Sequence, residues 1–364
     1  MVRAAIVLLA SRLLSLAGFA AAQHHAGERI SLTGMVQRWD GWWYVYLARS
    51  GYPRSLTIPG HPKYGPWGFF PTWPWTIRVT HDVLRVGYPM AGLLAVTLYA
   101  FAFVLLLRVY AARLVGDAAA DAAVVVVSVF PGALAFSLDY TEAGFLFWTV
   151  AALLLLDRGR HVPAAGAVFL ACATRSTGVA VIAAALVLIV PALRRGRFSV
   201  LLPPIAGVGA FALMAWFAHA RTGDASIWFK AERQWDQHLD LGRGIWRAFT
   251  HTVPIGGPDR TAWSVQLAMA VVLLALLALA APRWRTLPLT AWAYLAVTAF
   301  AIFAYSNVGP RPRLLLALFP VLVLAAAELR RRGPVWYVGA VAALSALTIV
   351  VAYLTMYPPA HVTA

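Results

Sequence analysis

Residues 88–108, YPMAGLLAVTLYAFAFVLLLR, decide the fold class, because the run carries no charge until its final arginine. An α-helix rises 1.5 Å per residue, so about 20 residues cover the roughly 30 Å hydrocarbon core of a bilayer. Similar apolar stretches recur along the 364-residue chain, which is 61% hydrophobic and 12% charged, against about 45–50% and about 25% in soluble domains. The sequence therefore predicts an all-α polytopic membrane protein.

The apolar stretches predict about 11 transmembrane helices in a single integral membrane domain, 1–364, with two long extracytoplasmic loops at 23–87 and 220–262. Two of the predicted helices, 143–156 and 162–174, are short for a full crossing, so they are either half-helices or a re-entrant pair, and the count changes by two accordingly. The predicted helices are 4–22, 88–108, 122–138, 143–156, 162–174, 177–193, 199–219, 263–281, 288–305, 313–328 and 334–354.

Arginines in the short connections predict the orientation in the cell membrane. They lie near Arg3, Arg113, Arg158, Arg195 and Arg283 and in the run 330–332, all on one predicted side. Cytoplasmic loops carry the excess of basic residues in multi-pass proteins. We therefore expect a cytoplasmic N-terminus and an extracytoplasmic site, with the first long loop, 23–87, as its catalytic part.

Charge and cysteine content exclude several classes of function. The 30 Lys and Arg residues are scattered between apolar spans and do not form one basic face, so we expect membrane lipids and no nucleic acid as partners. Cys172 is the sole cysteine, and the chain has no Asp-x-Asp pair and no His-Glu-x-x-His spacing. We accordingly predict no metal ion and no cofactor.

The stretch 38–52, RWDGWWYVYLARSGY, is the most informative part of the first long loop. Asp40 is an acidic residue among Trp39, Trp42, Trp43 and Tyr44. An ionised carboxylate can take a proton from a sugar hydroxyl, and the aromatic rings can pack against a pyranose or a lipid chain. The alternative is that the tryptophans form an interfacial belt and Asp40 only caps the following helix.

This stretch resembles the first-loop signature of the GPI mannosyltransferase II-like (PIG-V type) family and its bacterial relatives. Four further elements follow in the family's order, although Thr177 stands where Asn is usual. They are GFFPTWP at 68–74, YTEAGF at 140–145, ATRSTG at 173–178, and TGD at 222–224 with Trp235 downstream.

The resemblance implies a GT-C-like membrane glycosyltransferase that takes a sugar, mannose by analogy, from a polyprenyl-phosphate donor. It implies that Asp40 is the catalytic base. We expect a lipid or glycan acceptor, although the sequence does not identify it and a protein hydroxyl is an alternative. The chemistry agrees, since an inverting transfer needs a base at the acceptor and a cation at the leaving phosphate.

Four arginines are candidates for binding the donor phosphate, because guanidinium pairs with phosphate and keeps its charge. Arg175 lies between two apolar runs, where an unpaired charge is costly. Arg311 and Arg313 flank Pro312 in a rigid basic corner. Arg38 precedes the tryptophan–aspartate pair. The alternative for Arg175, Arg311 and Arg313 is an anchor to lipid head groups.

Asp139, Tyr140 and Glu142 complete the predicted substrate contacts. The two carboxylates lie in the shortest outer loop and either orient Arg175, bind an acceptor hydroxyl or share proton transfer with Asp40. The alternative is that they are solvated loop residues. The acids of the second long loop, Glu232 among them, are interpreted mainly as a solvated helix face.

A transporter or flippase of a lipid-linked sugar is the rival interpretation, and a non-catalytic scaffold of envelope assembly is a third. Transporters usually carry internal repeats and polar sites at mid-membrane. Here the polar candidates lie in the outer loops, and the sequence has no internal repeat. These features favour an enzyme.

Overall fold

Helices dominate the computed structural model, which describes residues 2–27, 31–243, 246, 259–305 and 310–357. No strand occurs in these ranges, where the extended pairing consists of two isolated bridges. The α-helices are α1 Val2–Ala26, α2 Leu32–Val36, α3 Asp40–Ser50, α4 Thr72–Leu84, α5 Tyr88–Val115, α6 Asp117–Val129, α7 Glu142–Asp157, α8 His161–Thr174, α9 Val179–Leu186, α10 Ile189–Leu193, α11 Leu202–Thr222, α12 Ile227–Gln234, α13 Asp259–Ala280, α14 Leu289–Phe303, α15 Pro312–Leu315, α16 Phe319–Arg332 and α17 Pro334–Met356.

Seven helical segments in the described part of the chain are long and apolar enough to cross a membrane, so the protein is a multi-pass membrane protein. The expectation of about 11 full spans exceeds this number. Helices α7, α8 and α14 have 16, 14 and 15 residues, which is short for a 30 Å crossing. Helices α7 and α8 pack against each other.

The predicted helix 122–138 is broken. Helix α6 ends at Val129, and a 3-10 segment, Pro131–Ser137, continues at an angle of 74°. Pro131 causes the break, since it has no N–H to donate and its ring obstructs the preceding turn. A Cβ on Gly132 would overlap the carbonyl oxygen of Pro312. Only glycine therefore lets this segment lie against the start of α15.

Two other predicted spans are composite. The span predicted at 177–193 consists of a 3-10 turn, Ser176–Gly178, followed by α9 and α10. The span predicted at 313–328 begins with α15 and continues after a 3-10 turn, Leu316–Leu318, as α16. Segment Pro312–Arg332 is the most enclosed of the candidate spans, with 83% of its apolar window buried. It forms the centre of the bundle, where α16 packs against α5, α6 and α13.

The two long loops are folded. The first contains α2, α3 and α4 and a 3-10 turn, Pro66–Gly68, and the second contains α12, which packs against that turn. Residues 244–245 and 247–258 of the second predicted loop lie outside the described residues. Helix α7 connects two ends of the bundle, with Glu142 beside the loops and Asp157 about 22 Å away at 1.5 Å per residue.

Candidate active site

Asp40 is the first residue of α3, and its position follows from an unusual backbone at the preceding residue. Trp39 has a positive φ of 54°, and its indole N–H donates to the carbonyl oxygen of Thr355 at 3.0 Å. A Cβ on Gly41 would lie 2.5 Å from the carbonyl oxygen of Val36, so only glycine fits there. This tight turn directs the Asp40 carboxylate to the guanidinium of Arg313, with which it forms an ion pair.

A chain of ion pairs continues from Asp40 into the bundle. Arg313 Nη1 lies 3.7 Å from Glu142 Oε1, and the same oxygen accepts a hydrogen bond of 2.6 Å from Arg175 Nη1. Arg175 also donates to Thr141 Oγ1 at 2.7 Å. Asp40, Arg313, Glu142 and Arg175, which we call the site network, thus join four segments of the chain.

The ring of Tyr140 holds the guanidinium of Arg313 in place. The Arg313 guanidinium lies over the ring of Tyr140, 5.0 Å from its centroid. This cation–π contact is worth about 2 kcal/mol when it is desolvated, and Tyr140 is 1% exposed. Tyr140 therefore stabilises the network through a buried contact with Arg313.

A cavity of about 640 Å³ opens beside the network. We call Arg175, Arg311 and Arg313 its basic wall, and His61, Tyr64, Glu232, Trp235 and Gln237, which the two long loops contribute, its loop wall. Other lining residues come from the first loop and the end of α8; they include Trp39, Asp40, Trp43, Tyr44, Phe69, Phe70, Thr174 and Ser176.

The basic wall combines positive charge with burial. Burial, reinforced by the neighbouring charge of Arg313, lowers the pKa of Arg311 to about 10, so it stays protonated at neutral pH. Arg313 and Arg175 are only 12% and 18% exposed. Partly dehydrated guanidinium groups bind phosphate oxygens more strongly than exposed ones do.

Glu232 is the cavity residue that the sequence interpretation missed. The loop acids were expected on a solvated face, whereas Glu232 lines the cavity and Asp224 pairs with Lys230 on the surface. The pKa of Glu232 is raised to about 7, chiefly by burial, with the charge of Arg175 lowering it and that of Asp40 raising it to a smaller extent. One feature of the sequence could have identified Glu232: it lies three residues before Trp235, which belongs to the second-loop element of the family resemblance.

Other predicted residues do not line the cavity. Trp42 packs on Tyr46 and His61 at the rim and is 37% exposed. Arg38 lies over the ring of Trp39, 5.6 Å from its centroid. Glu142 and Tyr140 lie behind the basic wall, where they contact Arg175 and Arg313. Roles for these residues in substrate binding stay predictions.

Asp139 is enclosed away from the cavity. Its carboxylate lies against Gly92 of α5, where a Cβ would come within 2.6 Å of its carboxyl carbon. Within the described residues neither carboxylate oxygen has a hydrogen-bond partner. Burial raises the pKa of Asp139 well above its usual range. The carboxyl group faces α5 and does not line the cavity.

The fold is similar to that of solved membrane glycosyltransferases. ArnT from Cupriavidus metallidurans with bound undecaprenyl phosphate superposes with a TM-score of 0.59 at 15% identity, over 93% of this chain and 61% of ArnT. The Archaeoglobus fulgidus oligosaccharyltransferase in its apo form gives 0.51 at 13% identity, over 99% of this chain and 56% of that chain. The same archaeal enzyme, AglB, with an inhibitory peptide and a dolichol-phosphate gives 0.50 at 11% identity.

These neighbours are glycosyltransferases of the GT-C superfamily, and the bundle described here has the GT-C fold. This chain spans about three fifths of the length of the chains it matches. No family model matches the sequence, and no curated protein matches it either. Membership of the PIG-V type family therefore stays a prediction.

Proposed function

We propose that the protein is an inverting glycosyltransferase that moves a sugar from a polyprenyl-phosphate donor to an acceptor hydroxyl on the outer membrane face. The observation that carries the proposal is the cavity in which the Asp40 carboxylate and three arginines meet. The solved neighbours include one enzyme with undecaprenyl phosphate and one with a dolichol-phosphate. Mannose is the sugar that the family resemblance favours.

In this mechanism the basic wall binds the donor phosphate and stabilises its charge as it leaves. Asp40 removes the proton from the acceptor hydroxyl, whose oxygen attacks the anomeric carbon while the bond from that carbon to the phosphate oxygen breaks. The products are the new glycoside, the polyprenyl phosphate and protonated Asp40. Arg313 orients Asp40, and Glu142 holds Arg175 and Arg313 through the same oxygen.

The ion pair with Arg313 holds the Asp40 carboxylate at the cavity, where it meets the acceptor hydroxyl in this mechanism. Because Arg313 belongs both to this ion pair and to the basic wall, acceptor activation and phosphate departure occur in one cavity. A flippase would need no carboxylate beside the phosphate site, and it would release the lipid with its sugar still attached.

A transfer assay separates these functions. The purified protein in sealed proteoliposomes is incubated with polyprenyl-phosphate mannose labelled in the sugar, together with a bacterial membrane extract. Transfer of the label from the lipid phosphate to another molecule is the expected result. If the label crosses the bilayer still attached to the lipid, the protein is a transporter, and if it does neither, the scaffold interpretation replaces the enzyme.

A further inference from the structure

The loop wall differs from the basic wall because it presents a carboxylate and aromatic rings to the same cavity. Glu232 lines the cavity, and no hydrogen bond or ion pair to its carboxylate occurs within the described residues. Asp40 and Arg175 are the charged groups that act on it across the cavity. An ionised carboxylate only accepts hydrogen bonds, so its natural ligand is a group that donates them, such as a hydroxyl.

Aromatic rings flank this carboxylate. Tyr64 stacks on Trp235 with ring centroids 4.5 Å apart, and Trp43 and Phe69 meet Trp235 edge-on at 6.1 and 6.0 Å. Aromatic rings beside a hydrogen-bonding group suit a ligand that has one apolar face and several polar edges. A pyranose ring has both.

The position of Glu232 is fixed by close packing between the two loops. A Cβ on Gly68 would lie 3.2 Å from Glu232 Oε1, so the absence of a side chain at Gly68 makes room for the carboxylate. The Trp235 indole N–H donates to the carbonyl oxygen of Gly65 at 3.3 Å. The first loop therefore positions the binding group that the second loop supplies.

We propose that the loop wall is a saccharide subsite, so that the acceptor of the transfer is a sugar ring whose hydroxyls donate to Glu232 and whose apolar face packs on the aromatic rings. A simple alcohol or a serine side chain would satisfy Asp40 but leave Glu232 without a donor. Sites built to bind a hydroxyl discriminate strongly against ligands that lack it. The inference rests on the proposed function for its account of the acceptor, but sugar binding is measurable without turnover.

Saturation-transfer NMR on the purified protein in nanodiscs tests the subsite, with methyl α-D-mannopyranoside and methyl α-D-glucopyranoside as probes. Each is measured with and without saturating undecaprenyl phosphate, which occupies the basic wall. We expect pyranoside binding in both conditions, and Glu232→Gln weakens it roughly tenfold because a hydrogen bond to a charged group is lost. Asp224→Asn, the same change on the loop surface, leaves it unaltered.

Gly68→Ala provides a second variant that keeps the carboxylate but displaces it, and we expect it to weaken pyranoside binding as well. Thermal melting identifies any variant that has unfolded. Wild-type binding in both cavity variants overturns the inference, and so does pyranoside binding that undecaprenyl phosphate abolishes, since the sugar would then occupy the donor site.

The outcomes separate this inference from the proposed function. If undecaprenyl phosphate binds and neither pyranoside does, the saccharide subsite is wrong and the proposed donor site is unaffected. If the pyranosides bind and undecaprenyl phosphate does not, the donor site is wrong and the subsite stands. N-acetylthreonine methylamide is the competing probe, and binding of this hydroxyl compound equal to that of the pyranosides would contradict a preference for sugars.

Discussion

Two clusters of arginine and carboxylate in this molecule differ in what surrounds them. At the cytoplasmic end predicted from the arginines, Glu328 is 1% exposed, and both its oxygens accept hydrogen bonds from Arg331, with Arg332 close by. Arg283 Nε, 3.5 Å from Glu328 Oε2, has no hydrogen bond in the described residues, but the Glu328 carboxylate itself is fully paired. In the site network, Glu142 Oε2 and Arg313 Nε are buried without a partner in the described part of the chain, and a large cavity adjoins them.

The difference indicates how to separate structural charges from functional ones. A carboxylate whose hydrogen-bonding capacity is filled stabilises the bundle. A network that keeps buried polar atoms unfilled beside a cavity is suited to a ligand that fills them, since unpaired buried groups are costly.

Asp40→Asn has the largest expected effect. Loss of a general base typically costs about 10²–10⁴ in rate, so we expect transfer of labelled sugar to be nearly abolished while expression and thermal melting stay close to wild type. Single-turnover transfer by the purified variant is the measurement. A near-normal rate would remove Asp40 from the mechanism and make the site network resemble the Glu328 cluster.

Arg175→Ala should reduce the rate with the lipid-linked donor by about 10²–10³, the usual cost of removing one group that stabilises a developing anion. Arg283→Ala, at the Glu328 cluster, is the matched control and should leave the rate unaltered. Titrating each variant with undecaprenyl phosphate measures how much of the rate loss comes from weaker binding of the lipid phosphate. Equal rates in the two variants would assign Arg175 to head-group anchoring.

The pH dependence of sugar binding tests the raised pKa of Glu232. With a pKa of about 7, the carboxylate forms as the pH rises through 7, and at pH 6 only roughly a tenth of it is ionised. Methyl α-D-mannopyranoside binding should therefore be several-fold weaker at pH 6 than at pH 8. The Glu232→Gln variant should show no such change. If binding changes equally with pH in the wild-type protein and the variant, another group is responsible for the pH dependence.

Glu328→Gln should have the smallest effect on function. It removes the charge that Arg331 and Arg332 bind, so we expect a loss of about 1–3 kcal/mol in stability with unchanged turnover per folded molecule. Thermal melting and the transfer assay on the same preparation measure both. A fall in turnover larger than the fall in folded protein would contradict the contrast between the two clusters.

Apolar run length predicted the fold class well, because any chain with these segments must satisfy its backbone hydrogen bonds within helices in lipid. All 11 predicted segments are helical for most of their length in the described residues. The predicted count of about 11 exceeds the seven segments of the described residues that are long and apolar enough to cross a membrane, because hydrophobicity does not distinguish lipid-facing helices from buried ones. Helix α7 is apolar and largely buried by neighbouring helices.

The sequence placed Asp40, Arg175, Arg311 and Arg313 among the candidates, and the fold brings them to one cavity. It did not reveal which arginine pairs with which carboxylate, since the partners of Asp40 and Glu142 come from distant segments. Glu232 was missed because its helix alternates charges like a solvated face. Its contact with Gly68, which determines its place, depends on how the two loops pack.

The ion pair between Asp40 and Arg313 joins residues 273 positions apart. Membrane proteins are made from the N-terminus onward, so the first loop exists long before Arg313 leaves the ribosome. During that interval the carboxylate lacks the guanidinium of Arg313, and the corner at 311–313 has not yet formed. The site network is therefore complete only after most of the bundle has been inserted.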